Sequence, residues 1–326
     1  MIRHLKVIRA EGNDSVMNLS LESALADSAG NDEIILYLWQ NADTVVIGKN
    51  QNIWKECSIG RMEQDGITAV RRPSGGGAVF HDLGNLNFTF IARDADYDEE
   101  KQTAVILHAL ETFGIKAEKT GRNDLLAEGR KFSGHAYSHH KGRSVHHGTL
   151  LIHSDLSRIP LYLRPDPLKL KANSVESAPS RVRNLSELLP SLTIAQMMEA
   201  LIESCEEIYG CSREPMAFPD AEAIETYRRI YGSREWIYNR NSAFTAEVSH
   251  RFPWGTVTLS LQAENGTIQD AVIWTDAMDT EQIEQAAACL KGCQADNRSL
   301  IRALKKQKQT EVTGDLILWL TQEPVL

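Results

Sequence analysis

Hydrophobic positions along the chain switch between a helical and a two-residue period, and each switch marks an element. Asn13-Asp14-Ser15 stand before Val16-Met17-Asn18-Leu19 and offer side-chain oxygens to orphan helix amides. Leu21 and Leu25 share one face, so a first helix is expected to run to about Ala29. Ile34 to Trp39 and Thr44 to Gly48 are β-branched, apolar runs separated by Gln40-Asn41-Ala42-Asp43, which predicts a two-stranded hairpin. A helix over 56–65 and a strand from Ile67 to Arg72 follow. After Pro73-Ser74-Gly75-Gly76-Gly77, Ala78 to Phe80 and Leu86 to Ile91 read as strands. Helical spacing from Thr103 to Phe113 stops at Gly114, and Arg130 to His139 with Ser144 to His153 predicts a hairpin around Lys141-Gly142-Arg143.

The second half changes character. Residues 160–190 hold Pro160, Pro165, Pro167, Pro179 and Pro190 without a sustained period and read as a long irregular segment. Residues 158–183 carry Arg158, Arg164, Lys169, Lys171, Arg181 and Arg183 against Asp166 and Glu176, a basic stretch that is either a solvated loop or a docking surface for an acidic partner. Helices are expected over Ile194 to Tyr209 and Ala221 to Tyr231. From Ser242 strands return at Phe244 to Ser249, Thr256 to Leu261 and Ile268 to Trp274, followed by helices near Thr280 to Leu290 and Ala295 to Lys306. The pattern implies a mixed α/β unit over 1–241 and a smaller α+β unit over 242–326.

Length and composition agree with two domains in one globular chain. The 326 residues exceed the roughly 150 that one core organises, and the 42% hydrophobic and 24% charged fractions are those of folded proteins. Apolar runs stop far short of the roughly 20 residues of a membrane span. Met-Ile-Arg-His-Leu-Lys leads into Glu11-Gly12-Asn13-Asp14 and not into an apolar signal core, so a cytoplasmic location and no membrane association are expected. Five scattered cysteines without a Cys-x-x-Cys argue against disulfides and zinc, and the net charge of -9 argues against nucleic acid.

Two segments carry candidate chemistry. In the first, Arg71-Arg72-Pro73-Ser74-Gly75-Gly76-Gly77-Ala78-Val79-Phe80-His81-Asp82, three glycines between strands let the backbone approach a ligand, and two arginines supply forked donors for an anion. A wide glycine turn is the plain alternative. In the second, Gly121-Arg122-Asn123-Asp124-Leu125-Leu126 leads to Gly129-Arg130-Lys131-Phe132-Ser133-Gly134, and Lys131 sits inside a strand where an ammonium is costly without a negative partner. Asn123-Asp124 is either turn chemistry or an oxygen pair for Mg²⁺. The spacings of a P-loop, a Rossmann fingerprint, a nucleophile elbow and His-Glu-x-x-His are all absent. The histidines 81, 135, 139, 140, 146, 147 and 153 lack acidic or cysteine ligands at metal spacing, and His147 reads as lining a site or packed.

These segments, with His146-His147-Gly148-Thr149-Leu150-Leu151 and Leu83-Gly84-Asn85, closely resemble the lipoate-protein ligase family, over Asn41 through Leu185. The resemblance implies a biotin/lipoate ligase catalytic domain related to class II aminoacyl-tRNA synthetase cores, plus a small α+β accessory domain. It implies an ATP-dependent enzyme that converts lipoate or octanoate to the acyl-adenylate, releasing pyrophosphate. The acyl group then passes to a lysine on apo lipoyl domains of 2-oxoacid dehydrogenase complexes or the glycine cleavage H protein, in lipoate salvage by a monomer. Carried over from the motifs, Lys131 is the catalytic cation. Arg72, Gly77, Ala78, Val79, Phe80, Asn123 and Asp124 border the nucleotide, with Asp124 a candidate Mg²⁺ ligand. Arg72, Ser74, Gly75, Gly76, His81, Ser133, Gly134, His147 and Thr149 border lipoate. Pro73, Phe132 and His135 depart from the family pattern and bear on the choice between lipoate and octanoate.

Four alternatives stand beside this reading. A biotin ligase carries Gly-Arg-Gly-Arg where this chain has Gly121-Arg122-Asn123-Asp124, and an octanoyltransferase needs a cysteine near the lysine motif, whereas Cys57 and Cys205 lie outside every motif. A lipoyltransferase fed with preformed lipoyl-AMP is the third. A non-catalytic lipoate-binding protein is the fourth, and loss of Lys131 or the glycine run would mark it.

Overall fold

The computed structural model describes residues 2–121, 123–164, 182–216, 218–238, 246–264 and 266–323. Strand β1 (His4–Arg9) leads into helix α1 (Ser15–Ser28), whose N-cap Asp14 accepts from Val16 N and Met17 N. Then come β2 (Glu33–Trp39), β3 (Thr44–Ile47), the short helices α2 (Ile53–Glu56) and α3 (Ile59–Gln64), β4 (Thr68–Arg71), β5 (Val79–His81) and β6 (Asn85–Arg93). Helix α4 (Glu99–Glu111) precedes β7 (Glu118–Thr120), β8 (Asp124–Ala127), β9 (Arg130–His140) and β10 (Arg143–Leu151). Helices α5 (Ile159–Tyr162) and α6 (Ile194–Tyr209), strand β11 (Arg213–Pro215), and helices α7 (Ala221–Tyr231) and α8 (Arg234–Tyr238) complete this part. The remainder is β12 (Ala246–Phe252), β13 (Gly255–Glu264), β14 (Thr267–Thr275), α9 (Thr280–Leu290), α10 (Asn297–Lys305) and α11 (Glu311–Gln322).

Eight strands form one mixed sheet in the order β11-β1-β2-β6-β10-β9-β8-β7. Its central strand β6 is buried at eight of nine positions, because α4 and α6 cover one face and α1 with α7 covers the other. The expected hairpin of β2 and β3 does not form. β2 pairs with β1 and β6, while β3 sits between β4 and β5 in a separate three-stranded sheet. The intervening Asn41 is wholly buried and bonded to Asn18 and His81, so these four residues carry the chain between sheets and do not reverse it. The hairpin of β9 and β10 does form, with Lys141 (φ 50°) and Gly142 (φ 75°) both left-handed, as a tight turn requires. The expected helix over 56–65 is instead the two short helices α2 and α3, broken at Cys57 and Ser58.

Strands β12, β13 and β14 form an antiparallel sheet packed on α9, α10 and α11 around Val257, Leu259, Ile273 and Trp319. This unit meets the larger one next to the glycine run. Thr275 N donates to Asn50 O at 2.9 Å, Gly76 N donates to Ala277 O at 3.1 Å, and Lys49 pairs with Glu284 at 3.0 Å. Cys289 and Cys293 pack on its core, as their helical spacing suggests. Among the described residues no helix is long and apolar enough to cross a membrane.

Candidate active site

The two arginines before the glycine run act on the backbone. Arg71 donates from Nη1 to Gly48 O (2.9 Å), Lys49 O (2.9 Å) and Gln51 O (2.7 Å), from Nη2 to Ile237 O (2.7 Å) and from Nε to Trp236 O (2.9 Å). It is a structural clamp, which corrects its reading as a donor for phosphate. Arg72 reaches Gly75 O at 2.6 Å, Gly77 O at 2.8 Å and Ser74 Oγ at 3.1 Å, folding the glycine run around its own guanidinium. Burial lowers Arg72 to about 10, which leaves it cationic at neutral pH. Gly76 has φ 90°, a conformation that glycine accepts without strain. A Cβ at Gly75 would overlap Ala277 O and Met278 O, so glycine there allows the close approach of the second unit.

Lys131 and Asp124 face each other across β9 and β8, with Nζ 2.7 Å from Oδ1. The register of the two strands shifts between Leu125 and Leu126, and this irregularity brings the pair together. A Cβ at Gly134 would lie 3.0 Å from Lys131 Nζ, so glycine there leaves the ammonium its space. Asn123 holds the same turn, giving its Nδ2 hydrogen to His135 O at 3.0 Å. Among the described residues no group of three or more His, Cys, Asp or Glu could hold a metal ion. Asp124 alone, already facing a cation, fits Mg²⁺ only as one ligand of an ion that arrives with phosphates.

A buried polar chain runs behind the glycine run. His147 shares a hydrogen with Ser74 Oγ through Nε2 at 2.7 Å and with Glu22 Oε1 through Nδ1 at 2.8 Å. Glu22 also accepts from Thr89 Oγ1 at 2.7 Å, and Thr89 accepts from Trp39 Nε1 at 3.0 Å. Glu22 is 1% exposed on α1, at the same helical face as Leu19 and Leu25. A carboxylate on a buried face needs partners of this kind.

One cavity of about 420 Å³ gathers these parts. Leu19, Trp39, Val46 and Val79 make an apolar end, and Lys131, Asn123 and Asp124 a polar one. Of the residues singled out in the sequence, Arg72, Gly76, Gly77, Ala78, Val79, His81, Asn123, Asp124, Lys131, Gly134, His147 and Thr149 line it. Ser74, Gly75, Phe80 and Ser133 stand outside the lining. The Ser74 hydroxyl is taken by His147 and Arg72, and Ser133 Oγ pairs with His135 Nε2 at 3.0 Å. The Phe80 ring packs against Tyr162 beneath Arg158. Sequence reasoning missed Leu19, Trp39 and Asn87, and also Arg251, Trp254, Asp276 and Met278 of the accessory unit, which line the same cavity. It also missed Glu22 behind it, for which a carboxylate among the apolar positions of α1 was the available signal.

The cysteines bear on the thioester alternative. Burial pushes Cys57 up to about 12 and raises Cys205 as well, so neither is a thiolate nucleophile at neutral pH. In the basic stretch, Arg158 forks onto Asp43 at 2.8 and 2.6 Å, and the buried Arg183 donates to Glu128 at 2.9 Å. Both are engaged within the chain, whereas Lys169, Lys171 and Arg181 lie outside the described residues.

Three buried histidines make the fold acid-sensitive. Burial, reinforced by Arg72, lowers His81 to about 3, and burial with Lys119 and Lys131 nearby lowers His135 to about 3. Burial and the neighbouring His135 push His146 down too. Each is held neutral when folded and takes a proton near 6.5 when unfolded. For His81 and His135 the contribution is therefore complete above about pH 6.5 and is lost as pH falls toward 3, at about 1.4 kcal/mol per pH unit each, and His146 acts in the same direction. Urea unfolding from pH 7 to 4.5 is expected to show a midpoint that drops steeply below 6.5, with a shallower drop for His146→Gln. A midpoint independent of pH over this range contradicts the burial of these rings.

Comparison with known proteins follows the same division. Residues 14–206 match the family model of the lipoyl protein ligase A/B catalytic domain, and residues 241–318 that of the bacterial lipoate protein ligase C-terminus. Among solved structures, LipL1 of P. falciparum in complex with lipoate is 28% identical, covers 98% of this chain and 100% of its own, and superposes with a TM-score of 0.87. The bipartite lipoate protein ligase of Thermoplasma acidophilum, described with its E2 lipoyl domain, is 26% identical over 74% of this chain and 99% of its own, with a TM-score of 0.64. A lipoate-protein ligase A bound with ATP is 25% identical over 73% of this chain and 99% of its own, also with a TM-score of 0.64.

Proposed function

Since the chain belongs to the lipoyl protein ligase A/B catalytic-domain family, we propose that it is an AMP-forming lipoate-protein ligase acting in lipoate salvage. The observation that carries this reading is one cavity lined by Trp39 and Val46 at an apolar end and by the Lys131–Asp124 pair at a polar one. An acyl chain fits the first and its carboxylate, beside a nucleotide phosphate, the second. In the first step a lipoate (or octanoate) carboxylate oxygen attacks the α-phosphorus of ATP and pyrophosphate leaves. In the second, the amine of an acceptor lysine attacks the acyl carbon, the acyl–phosphate bond breaks, AMP leaves with the electron pair and the amine loses a proton. The lysine amine has an ordinary pKa near 10.4, so little is neutral at pH 7, and an activated acyl group makes up for that scarcity.

Lys131 stabilises the negative charge of both steps, and Gly77, Ala78, Asn123 and Asp124 border the nucleotide. Asp124 would be the protein ligand of a Mg²⁺ ion arriving with the triphosphate, which would supply charge neutralisation there. His81, His147 and Thr149 border the acyl chain. The lipoate of one relative, the ATP of another and the E2 lipoyl domain described with a third support lipoate, ATP and a lipoyl domain as substrates. The reading takes lipoyl domains of 2-oxoacid dehydrogenase complexes and H protein as the acceptors, and a monomer acting in the cytoplasm. We take the catalytic domain as 1–241 and the accessory domain as 242–326, a division that limited proteolysis between the two tests directly.

The test is acid-dependent exchange of pyrophosphate into ATP, run with lipoate, octanoate and biotin in parallel. Exchange with lipoate and none with biotin is expected. Absence of exchange with every acid, alongside transfer from preformed lipoyl-AMP, would reassign the chain as a lipoyltransferase.

A further inference from the structure

A second cavity, of about 400 Å³, lies behind the buried polar chain at the seam between the two units. Its walls come from α1, from α7 and α8, from the β9–β10 hairpin and from α9 of the smaller unit. Among the described residues it shares only His147 with the main cavity. The volume suits a small molecule, and seams between folded units are where such sites gather.

One wall of this cavity is aromatic. Tyr227 and Tyr231 stack with centroids 5.7 Å apart, and Trp236 tilts against Tyr231 at 5.5 Å. Their polar tips are already taken: Tyr227 Oη donates to Asp27, Tyr231 Oη pairs with Ser23 Oγ at 2.8 Å, and Trp236 Nε1 donates to Arg71 O. The wall therefore offers a ligand ring surface and no hydrogen bond.

The charged groups around the cavity divide unevenly. Glu22 accepts from Thr89 and is bonded to His147, Asp27 accepts from Tyr227, Glu284 pairs with Lys49, and Glu281 accepts from Gln285 Nε2 at 3.0 Å. Arg143 has no counterpart of this kind. It is half-buried at the start of β10, its Nε is buried with no hydrogen-bond partner, and among the described residues its guanidinium makes no ion pair. A buried donor without an acceptor is costly, and an arginine fork matches a carboxylate. A doubly charged phosphate suits this place less, because the carboxylates in the same walls repel it more strongly than a singly charged group.

We infer that this second cavity binds a small molecule made of a flat ring and a carboxylate, the ring against Tyr227, Tyr231 and Trp236 and the carboxylate on Arg143. The site is separate from the cavity assigned to the acyl and nucleotide groups and does not depend on the ligase reading. It touches both units, since Thr280 and Glu281 of α9 stand in its wall. A bound molecule thus ties the smaller unit to the larger one. It also meets Glu22 and His147, through which its wall is joined to Ser74 of the glycine run.

The experiment is titration calorimetry on the full chain with benzoate and indole-3-acetate, beside 3-methylindole as a ring without a carboxylate and acetate as a carboxylate without a ring. At least one of the two ring acids is expected to bind, and both controls about tenfold or more less tightly. Lys131 in the main cavity offers the same acids another cation, so variants assign the site. Arg143→Gln is expected to weaken the ring acid by about tenfold or more, the usual worth of a charge-assisted fork, while Lys131→Ala leaves its affinity within about twofold. Arg143→Lys keeps the charge without the fork and should fall between wild type and Arg143→Gln. Thermal melts check the fold of each variant. The bound acid is also expected to slow proteolytic separation of the two units in wild type and not in Arg143→Gln. Binding of neither ring acid to wild type, binding unchanged in Arg143→Gln, or binding lost in Lys131→Ala overturns the inference. None of these readouts uses catalysis, so a failure of pyrophosphate exchange removes the ligase reading and leaves this site standing.

Discussion

Lys131→Ala is expected to lower lipoate-dependent pyrophosphate exchange by about a hundredfold or more, the usual cost of removing one preorganised donor from a site where charge builds up. The structure holds the ammonium in a way that suits this proposed role. Asp124 fixes it at 2.7 Å, Gly134 leaves it room, and its side chain is 35% exposed toward the cavity, so a substrate can reach it. Alanine removes a charge without opening the core, and the melting temperature should stay near that of wild type. Lys131→Arg keeps the charge but not the reach, because a planar fork cannot occupy the point that Gly134 leaves open for a compact ammonium. It is expected to recover only a small part of the rate. Transfer of the acyl group from preformed lipoyl-AMP should fall as well, since in the proposed mechanism the same cation stabilises the phosphate that leaves. Exchange in Lys131→Ala within about threefold of wild type would remove this lysine from the chemistry.

What the sequence revealed and what it hid divide along physical lines. Local signals were readable: the Asp14 cap of α1, the Lys141-Gly142 turn and the strand carrying Lys131 all depend on neighbours within a few residues. The motif residues around Lys131 and His147 also came to one cavity. Partners distant in the chain were not readable. Nothing between Trp39 and Thr44 marks the step from one sheet to another, which depends on Asn41 meeting Asn18 and His81. Arg251 and Trp254 line the cavity only because the second unit packs on the glycine run, and no local pattern announces such an approach. The glycines themselves were noticed for the right property, freedom from a Cβ. What a Cβ at Gly75 would meet is the carbonyl of Ala277, a partner about 200 residues away in the chain.

Arg71 separates the two kinds of information most sharply, and Arg71→Met is expected to show the largest loss of stability among single substitutions near the site. Read along the chain, two arginines before three glycines suggest anion binding, and losing one would weaken ATP binding while leaving the fold alone. In the structure Arg71 is buried and gives hydrogens to five carbonyls, tying 48–51 to α8, and Trp236 Nε1 returns a bond to Arg71 O at 2.8 Å. Methionine has similar bulk and no donor, so the carbonyls lose their partner in a place where water enters poorly. The cost is on the order of 3 to 5 kcal/mol, or about 10 °C in Tm for a domain of this size. Arg71→Lys, with a single ammonium in place of a fork, should fall between wild type and Arg71→Met. Thermal melts and KM for ATP, measured on the same preparations, decide between the two roles. A lowered Tm with a near-normal KM in the folded fraction is the signature of the clamp, whereas an unchanged Tm with a raised KM would return Arg71 to the phosphate.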